Sequence, residues 1–164
     1  MELNPTHRMA QLIEQRAATL LGNFSLLPFY ALAAASWMPL GSRADRLIEL
    51  AFVTYAAVIL AFLGAVHWGF VLSSPALDRT GSKFGLRWGV IPSLLGWLAV
   101  MMAIVGVPLW LVSFFLVMDF ALCRLMDGRM MPMYSTPPAW YLPLRTRLTA
   151  LVIIAALIFL GSTL

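Results

Sequence analysis

Only one cysteine, Cys123, is present, so no intramolecular disulfide can form and no cysteine cluster is available to ligate zinc or an iron–sulfur centre. Charge is also scarce, at 11% of 164 residues, against 62% hydrophobic residues. A Gly-x-Ser-x-Gly elbow, a His-Glu-x-x-His pair, a Walker loop, a dinucleotide fingerprint and a carboxylate pair suited to glycoside chemistry are all missing. No catalytic residue and no metal site is therefore assigned, and an enzyme is not expected. The three clustered thioethers Met130, Met131 and Met133 would suit Cu(I), but no His or Cys stands among them.

What is abundant is apolar sequence. The mean hydropathy of +0.88 lies far outside the range of a soluble domain. Apolar runs near 18–38, 47–72, 88–106, 108–126 and 148–164 are close to the ~20 residues that cross ~30 Å of hydrocarbon. The expected fold is all-α: a polytopic bundle of about five transmembrane helices at 18–164, led by an amphipathic segment at 1–17 in which Met9, Leu12 and Ile13 recur at helical spacing. The +4 net charge does not indicate nucleic acid, because the basic residues lie between apolar runs and form no stripe interleaved with aromatics. Five spans put Arg8, Arg16, Arg79, Lys83, Arg87, Arg124, Arg129, Arg145 and Arg147 on one side, and only Arg43 and Arg46 on the other. By the positive-inside rule the N-terminus is expected in the cytoplasm and the C-terminus outside.

Several local features predict how the spans pack. Asn23 and Pro28 should kink the first span and give it a polar contact with a neighbour. Ser42-x-x-Asp45 suits a helix start in which the Ser42 hydroxyl caps and Asp45 reaches back. Gly64 and Gly69 on the second span, and Gly89 and Gly96 on the third, are small positions where helices can approach closely. Gly106-Val107-Pro108 leaves room only for a tight turn, so spans three and four form an antiparallel hairpin. Met126–Thr146 is read as a long loop, interrupted by Pro132 and Pro137-Pro138, ahead of a last span without charge.

The candidate site is built on His67-Trp68-Gly69, which sets an ionisable ring and an indole in an apolar helix. Asp119 on the fourth span lies at similar depth and is the expected partner, able to accept from an imidazole N–H. Trp140, Tyr141 and Arg145 would cover the site from the cytoplasmic side, with Arg145 available for a phosphate or carboxylate. His67, Trp68, Asp119, Trp140, Tyr141 and Arg145 thus form one expected ligand-binding set. An inert polar clasp between helices and a titrating site for a quinone, lipid headgroup or proton both remain open.

Three motifs, Phe62-Leu-Gly-Ala-Val-His67-Trp68-Gly69, Pro92-Ser-Leu-Leu-Gly-Trp97 and Trp140-Tyr-Leu-Pro-Leu-Arg145-x-x-Leu148-Thr149, carry a resemblance. In this order they resemble a family of small bacterial and mitochondrial membrane proteins of unknown function that includes mitochondrial transmembrane protein sixty-nine. The resemblance implies about five spans and an inner-membrane location, and brings no activity. The expected role is a non-enzymatic accessory, assembly or lipid-organising factor of the bacterial inner membrane. Its partners are membrane lipids and a larger membrane complex or a homo-oligomer; no cofactor is assigned, with a lipid or quinone as the admissible ligand. A small carrier or a quinone- or proton-handling membrane subunit using His67 and Asp119, and a membrane enzyme acting on a lipid, are the alternatives.

Overall fold

The computed structural model describes residues 5–73, 79–134 and 137–163. Six helices follow one another: α1 (Pro5–Phe24), α2 (Leu27–Ala35), α3 (Ser42–Leu72), α4 (Arg79–Ile104), α5 (Leu109–Tyr134) and α6 (Tyr141–Gly161). Among the described residues there is no strand. Five stretches are long and apolar enough to cross a membrane: Met9–Ala35, Ser42–Leu72, Gly81–Ile104, Leu109–Met133 and Tyr141–Gly161.

The first of these takes in α1 from Met9 onward together with α2, broken at Ser25 and Leu26 just ahead of Pro28 in the first turn of α2. Pro28 has no N–H to continue the ladder, and a first-turn position tolerates that loss. The Ser25 hydroxyl donates to Gly22 O at 2.7 Å, and Leu26 N–H closes a tight turn onto Asn23 O at 3.1 Å. The expected kink is present, and so is the polar contact, since Arg147 of α6 donates to Asn23 Oδ1. Residues 1–4 of the expected lead-in lie outside the described residues, and α1 runs unbroken from Pro5. From Met9 to Ala17 every residue is exposed.

At the start of α3, Gly41 occupies the cap with φ of 101°, and Ser42 is already helical with no capping bond. The expected Ser42 cap is therefore absent, because a glycine in a left-handed conformation turns the chain there instead. Asp45 does reach back, accepting from Leu40 N–H at 3.2 Å.

The helices α3 and α4 run antiparallel and touch along their length. A Cβ on Gly64 would lie 2.2 Å from Gly89 O, and one on Gly96 would lie 2.9 Å from Ala57 Cα. Farther along the seam, Arg46 donates to Ala103 O, and the Trp68 indole N–H donates to Leu86 O at 2.9 Å. In lipid no hydrophobic force drives helices together, so such close approach, with its dispersion contacts, supplies the association. Gly69 takes no part in this seam: a Cβ there would meet nothing within 4 Å. Its position on α3 points away from α4, which corrects its assignment as a packing glycine.

Gly106 ends the pair, at φ of 85°, with Val107 N–H bonding Met102 O at 3.0 Å and Gly106 N–H bonding Ala103 O at 3.4 Å. This is a Schellman closure. It delivers α5 antiparallel to α4, as the short connection requires.

Phe29, Phe52, Phe120 and Phe159, from four different helices, fill the centre of the bundle. Phe52 and Phe159 stack at 4.0 Å, and Phe29 meets both Phe52 and Phe120 edge-on. Buried Ala33, Ala56, Ala99, Ala155 and Ala156 let the helices close around these rings.

Two boundaries differ from expectation in a way that decides the site. α5 does not end at Met126 but continues through Pro132 to Tyr134, and α6 begins at Tyr141 and so contains Arg145 and Arg147. A second cluster explains the longer α5: Met130 and Met131 pack with Val71 of α3 and Trp88 of α4, offsetting the hydrogen bond lost at Pro132. Met133 is exposed, so the three methionines do not converge.

The seam makes a sharp prediction for stability. Gly64→Ala should cost about 1–3 kcal/mol, the usual penalty for overpacking against rigid backbone, whereas Gly69→Ala should be neutral or stabilising by roughly 1 kcal/mol from helix propensity. Thermal unfolding of the two variants in the same detergent would check this; equal shifts would contradict the packing described.

Candidate functional site

Three helices each bring one ionisable group to a single buried point. Asp127 on α5 accepts at Oδ1 from His67 Nε2 of α3, 2.9 Å away, and at Oδ2 from Arg145 Nε of α6 at 3.0 Å. A carboxylate can only accept, so the imidazole carries its proton on Nε2. Arg145 Nη1 donates to Thr149 Oγ1 at 3.2 Å, one turn further along α6. The residues are 1% (His67), 2% (Asp127), 7% (Arg145) and 4% (Thr149) exposed. Asp127 and Arg145 balance one another in charge, which is what permits the pair at this depth.

Arg145 Nη2 also lies 2.7 Å from Asp127 Oδ2, so the guanidinium meets the carboxylate through Nε and Nη2 together. The Trp140 indole nitrogen, by contrast, is buried and unpartnered. An unmet buried donor costs about 1–3 kcal/mol.

Asp119, the expected partner of His67, is not the residue bonded to it. It is 3% exposed and accepts at Oδ1 from the Cys123 thiol at 3.7 Å, while its Oδ2 has no partner. The relay drawn through His67 and Asp119 is thereby corrected to His67 and Asp127. The reason lies in the length of α5: Arg124 looked like the membrane boundary, but it is only partly buried, donates to Thr146 Oγ1 at 2.7 Å, and the helix continues past it. Asp119, Cys123 and Asp127 are spaced by four, along one stripe of that helix. That stripe was the available signal, obscured because Asp127-Gly128 also reads as a turn. Thr149 belonged to the third motif without a role of its own.

Trp68 is corrected too. It is 43% exposed, its N–H is spent on Leu86 O, and its ring lies against Gly89, so it serves the α3–α4 seam rather than the ligand-binding set. Trp140, Tyr141 and Arg145 do come together. Tyr141 meets Phe70 edge-on at 5.6 Å and Trp140 at 6.2 Å, and its hydroxyl interacts with the Arg145 guanidinium.

These three residues and Thr149 wall one side of a cavity of about 440 Å³ between α1, α3 and α6. His67 and Asp127 stand behind Arg145 and do not line it. Most of the remaining wall is apolar: Leu21 and Gly22 of α1, Phe62 and Leu63 of α3, and Leu148 and Val152 of α6 among others. Leu21 and Phe62 are 69% and 63% exposed, so the cavity opens sideways between α1 and α3, where a bilayer would lie. A Cβ on Gly22 would reach 2.7 Å from Leu148 Cδ1, which fixes how closely α1 sits on α6. Among the described residues no three of His, Cys, Asp or Glu converge as a metal site.

The two buried aspartates should behave oppositely. Asp127→Asn leaves Arg145 uncompensated and should cost about 3–5 kcal/mol, with most of that recovered when Arg145→Gln is added. Asp119→Asn removes an unpaired carboxylate from the membrane interior and should cost nothing measurable. Thermal unfolding in nanodiscs would check both; a large loss in Asp119→Asn with none in Asp127→Asn would contradict the assignment.

Comparison with known proteins adds relatives without adding an activity. Transmembrane protein 69 of Xenopus tropicalis is 29% identical over 140 residues, covering 84% of this chain and 51% of that protein. The chain thus spans about half the length of that relative. No solved structure matches. A family described as a protein of unknown function, DUF3429, matches residues 14–161, which takes in nearly all of the bundle and every residue of the buried cluster. The chain belongs to the DUF3429 family.

Proposed function

We propose that this multi-pass protein is a lipid-organising accessory factor of a bacterial inner membrane, which takes a single lipid chain from the bilayer into the cavity between α1, α3 and α6. The observation that carries the reading is the sideways opening of a largely apolar cavity of about 440 Å³, with exposed Leu21 and Phe62 at its lips. That volume is within the ~300–1,000 Å³ typical of ligand sites. A methylene occupies about the ~30 Å³ of a water molecule, so the space suits roughly one long chain and not two.

Support also comes from how the cavity is built. The buried Asp127 carboxylate ties α3, α5 and α6 into a fixed wall, whereas α1 packs chiefly on α6. A helix held on one side is suited to admitting a chain between itself and α3. Of the nine basic residues assigned to one face, Arg145 is buried against Asp127; the other eight, against Arg43 and Arg46, support a cytoplasmic N-terminus. With that orientation the Trp140 end of the cavity faces the cytoplasmic leaflet.

Filling the cavity tests the reading. Ala18, a partly buried lining residue on α1, can be enlarged without touching the ion cluster. Native mass spectrometry of gently extracted protein should show a co-purifying lipid on the wild type. Ala18→Phe should lose it while unfolding at the same temperature or higher. Retention of the same lipid by Ala18→Phe would remove the cavity from the account.

A further inference from the structure

The cavity differs from a plain hydrocarbon slot at one end. Its walls run along α6 from Trp140 to Val152, about 18 Å at 1.5 Å per residue, and Trp140, Tyr141 and Arg145 stand at one end of that run. Toward the other end Leu26, Ile59 and Val152 line it beside Ser25, whose hydroxyl is already bonded to Gly22 O.

What the polar end has left over is a donor. Trp140 Nε1 is buried without a hydrogen-bond acceptor, on a residue that lines the cavity. Thr149 Oγ1 already accepts from Arg145, and the unpartnered oxygen of Asp119 belongs to a residue that does not line the space. An occupant that completes this end must therefore bring an acceptor oxygen.

The charge at this end constrains the occupant further. Arg145 is already neutralised by Asp127, 2.7 Å away, and no other Lys or Arg lines the cavity. A carboxylate or phosphate entering it would be a desolvated anion without an uncompensated cation to meet, and would feel Asp127 behind Arg145. A neutral carbonyl gains the same hydrogen bond and avoids that cost.

We propose that the cavity selects an uncharged amphiphile with one long hydrocarbon chain ending in a carbonyl oxygen, which accepts a hydrogen bond from Trp140. The inference rests on reading the cavity as a lipid site and adds the chemistry of the head. An acyl ester of glycerol and a prenyl quinone both present this chemistry.

The test uses the full chain in nanodiscs of uncharged lipid, titrated with monoolein, decylubiquinone, oleate at a pH where it is ionised, and hexadecane. Binding is followed by intrinsic tryptophan fluorescence and by thermal shift, in the wild type and in Trp140→Phe, which keeps the ring and removes the donor. One or both carbonyl ligands should bind at least about tenfold tighter than oleate, and Trp140→Phe should weaken them by roughly tenfold, the size of one net hydrogen bond, without changing hexadecane. The tighter of monoolein and decylubiquinone identifies the source. Tighter binding of oleate, or equal binding of all four with no effect of Trp140→Phe, would overturn the neutral-carbonyl inference and leave the lipid cavity standing. Failure of every ligand, hexadecane included, would overturn both.

Discussion

The structure depends on one carboxylate. Asp127 is buried to 2% exposure inside a chain that is mostly hydrocarbon-compatible, and it stays there because His67 and Arg145 each donate to one of its oxygens. An ion pair at such a place is held by the cost of breaking it rather than by a large net gain on forming it. The consequence is geometric. Three helices that van der Waals contact alone would leave free to slide are pinned at one depth and one rotation.

From that pin the rest of the bundle follows. Drawing Arg145 inward brings the first turns of α6 into the protein, so that Tyr141 lies edge-on to Phe70 at the end of α3 and Trp140 packs on Tyr141. At the other end of the same two helices, Phe52 stacks on Phe159, which keeps α3 and α6 antiparallel and close. In the first span α2 is anchored in the core by Phe29 and Ala33, whereas α1 is held at few points near its end, by Arg147 on Asn23 Oδ1, the Tyr55 hydroxyl on Ser25 O and the close fit of Gly22 on Leu148. Those contacts lie toward α2, and the space left beside α1 is the cavity. α4 is fastened separately, through the glycine seam with α3 and the bonds of Arg46 and Trp68 to its carbonyls.

The sequence conveyed the fold through features that depend on local chemistry. Apolar run length announced the number of spans, Pro28 the break in the first, and Gly64, Gly89 and Gly96 the seam of α3 with α4. It misplaced the site because charge was treated as a boundary marker. Arg124, Arg145 and Arg147 each looked like the end of hydrocarbon, so Asp127 fell into a loop and Asp119 inherited its role. A buried charge is compatible with a span once its partner is buried with it, and that pairing is set by tertiary contact, which periodicity does not report. Trp68 and Gly69 failed for a related reason: their helix was identified correctly, but which way each residue faces depends on where α4 lies.

Nitrogen–carbon dipolar recoupling by solid-state NMR, on protein labelled at arginine and histidine side-chain nitrogens and at aspartate carboxyl carbons and reconstituted in bilayers, would test the central claim most directly. Magnetisation should pass from both His67 and Arg145 to a single carboxyl carbon, and that signal should vanish in Asp127→Asn and persist in Asp119→Asn. Transfer that survives Asp127→Asn and disappears in Asp119→Asn would contradict the account.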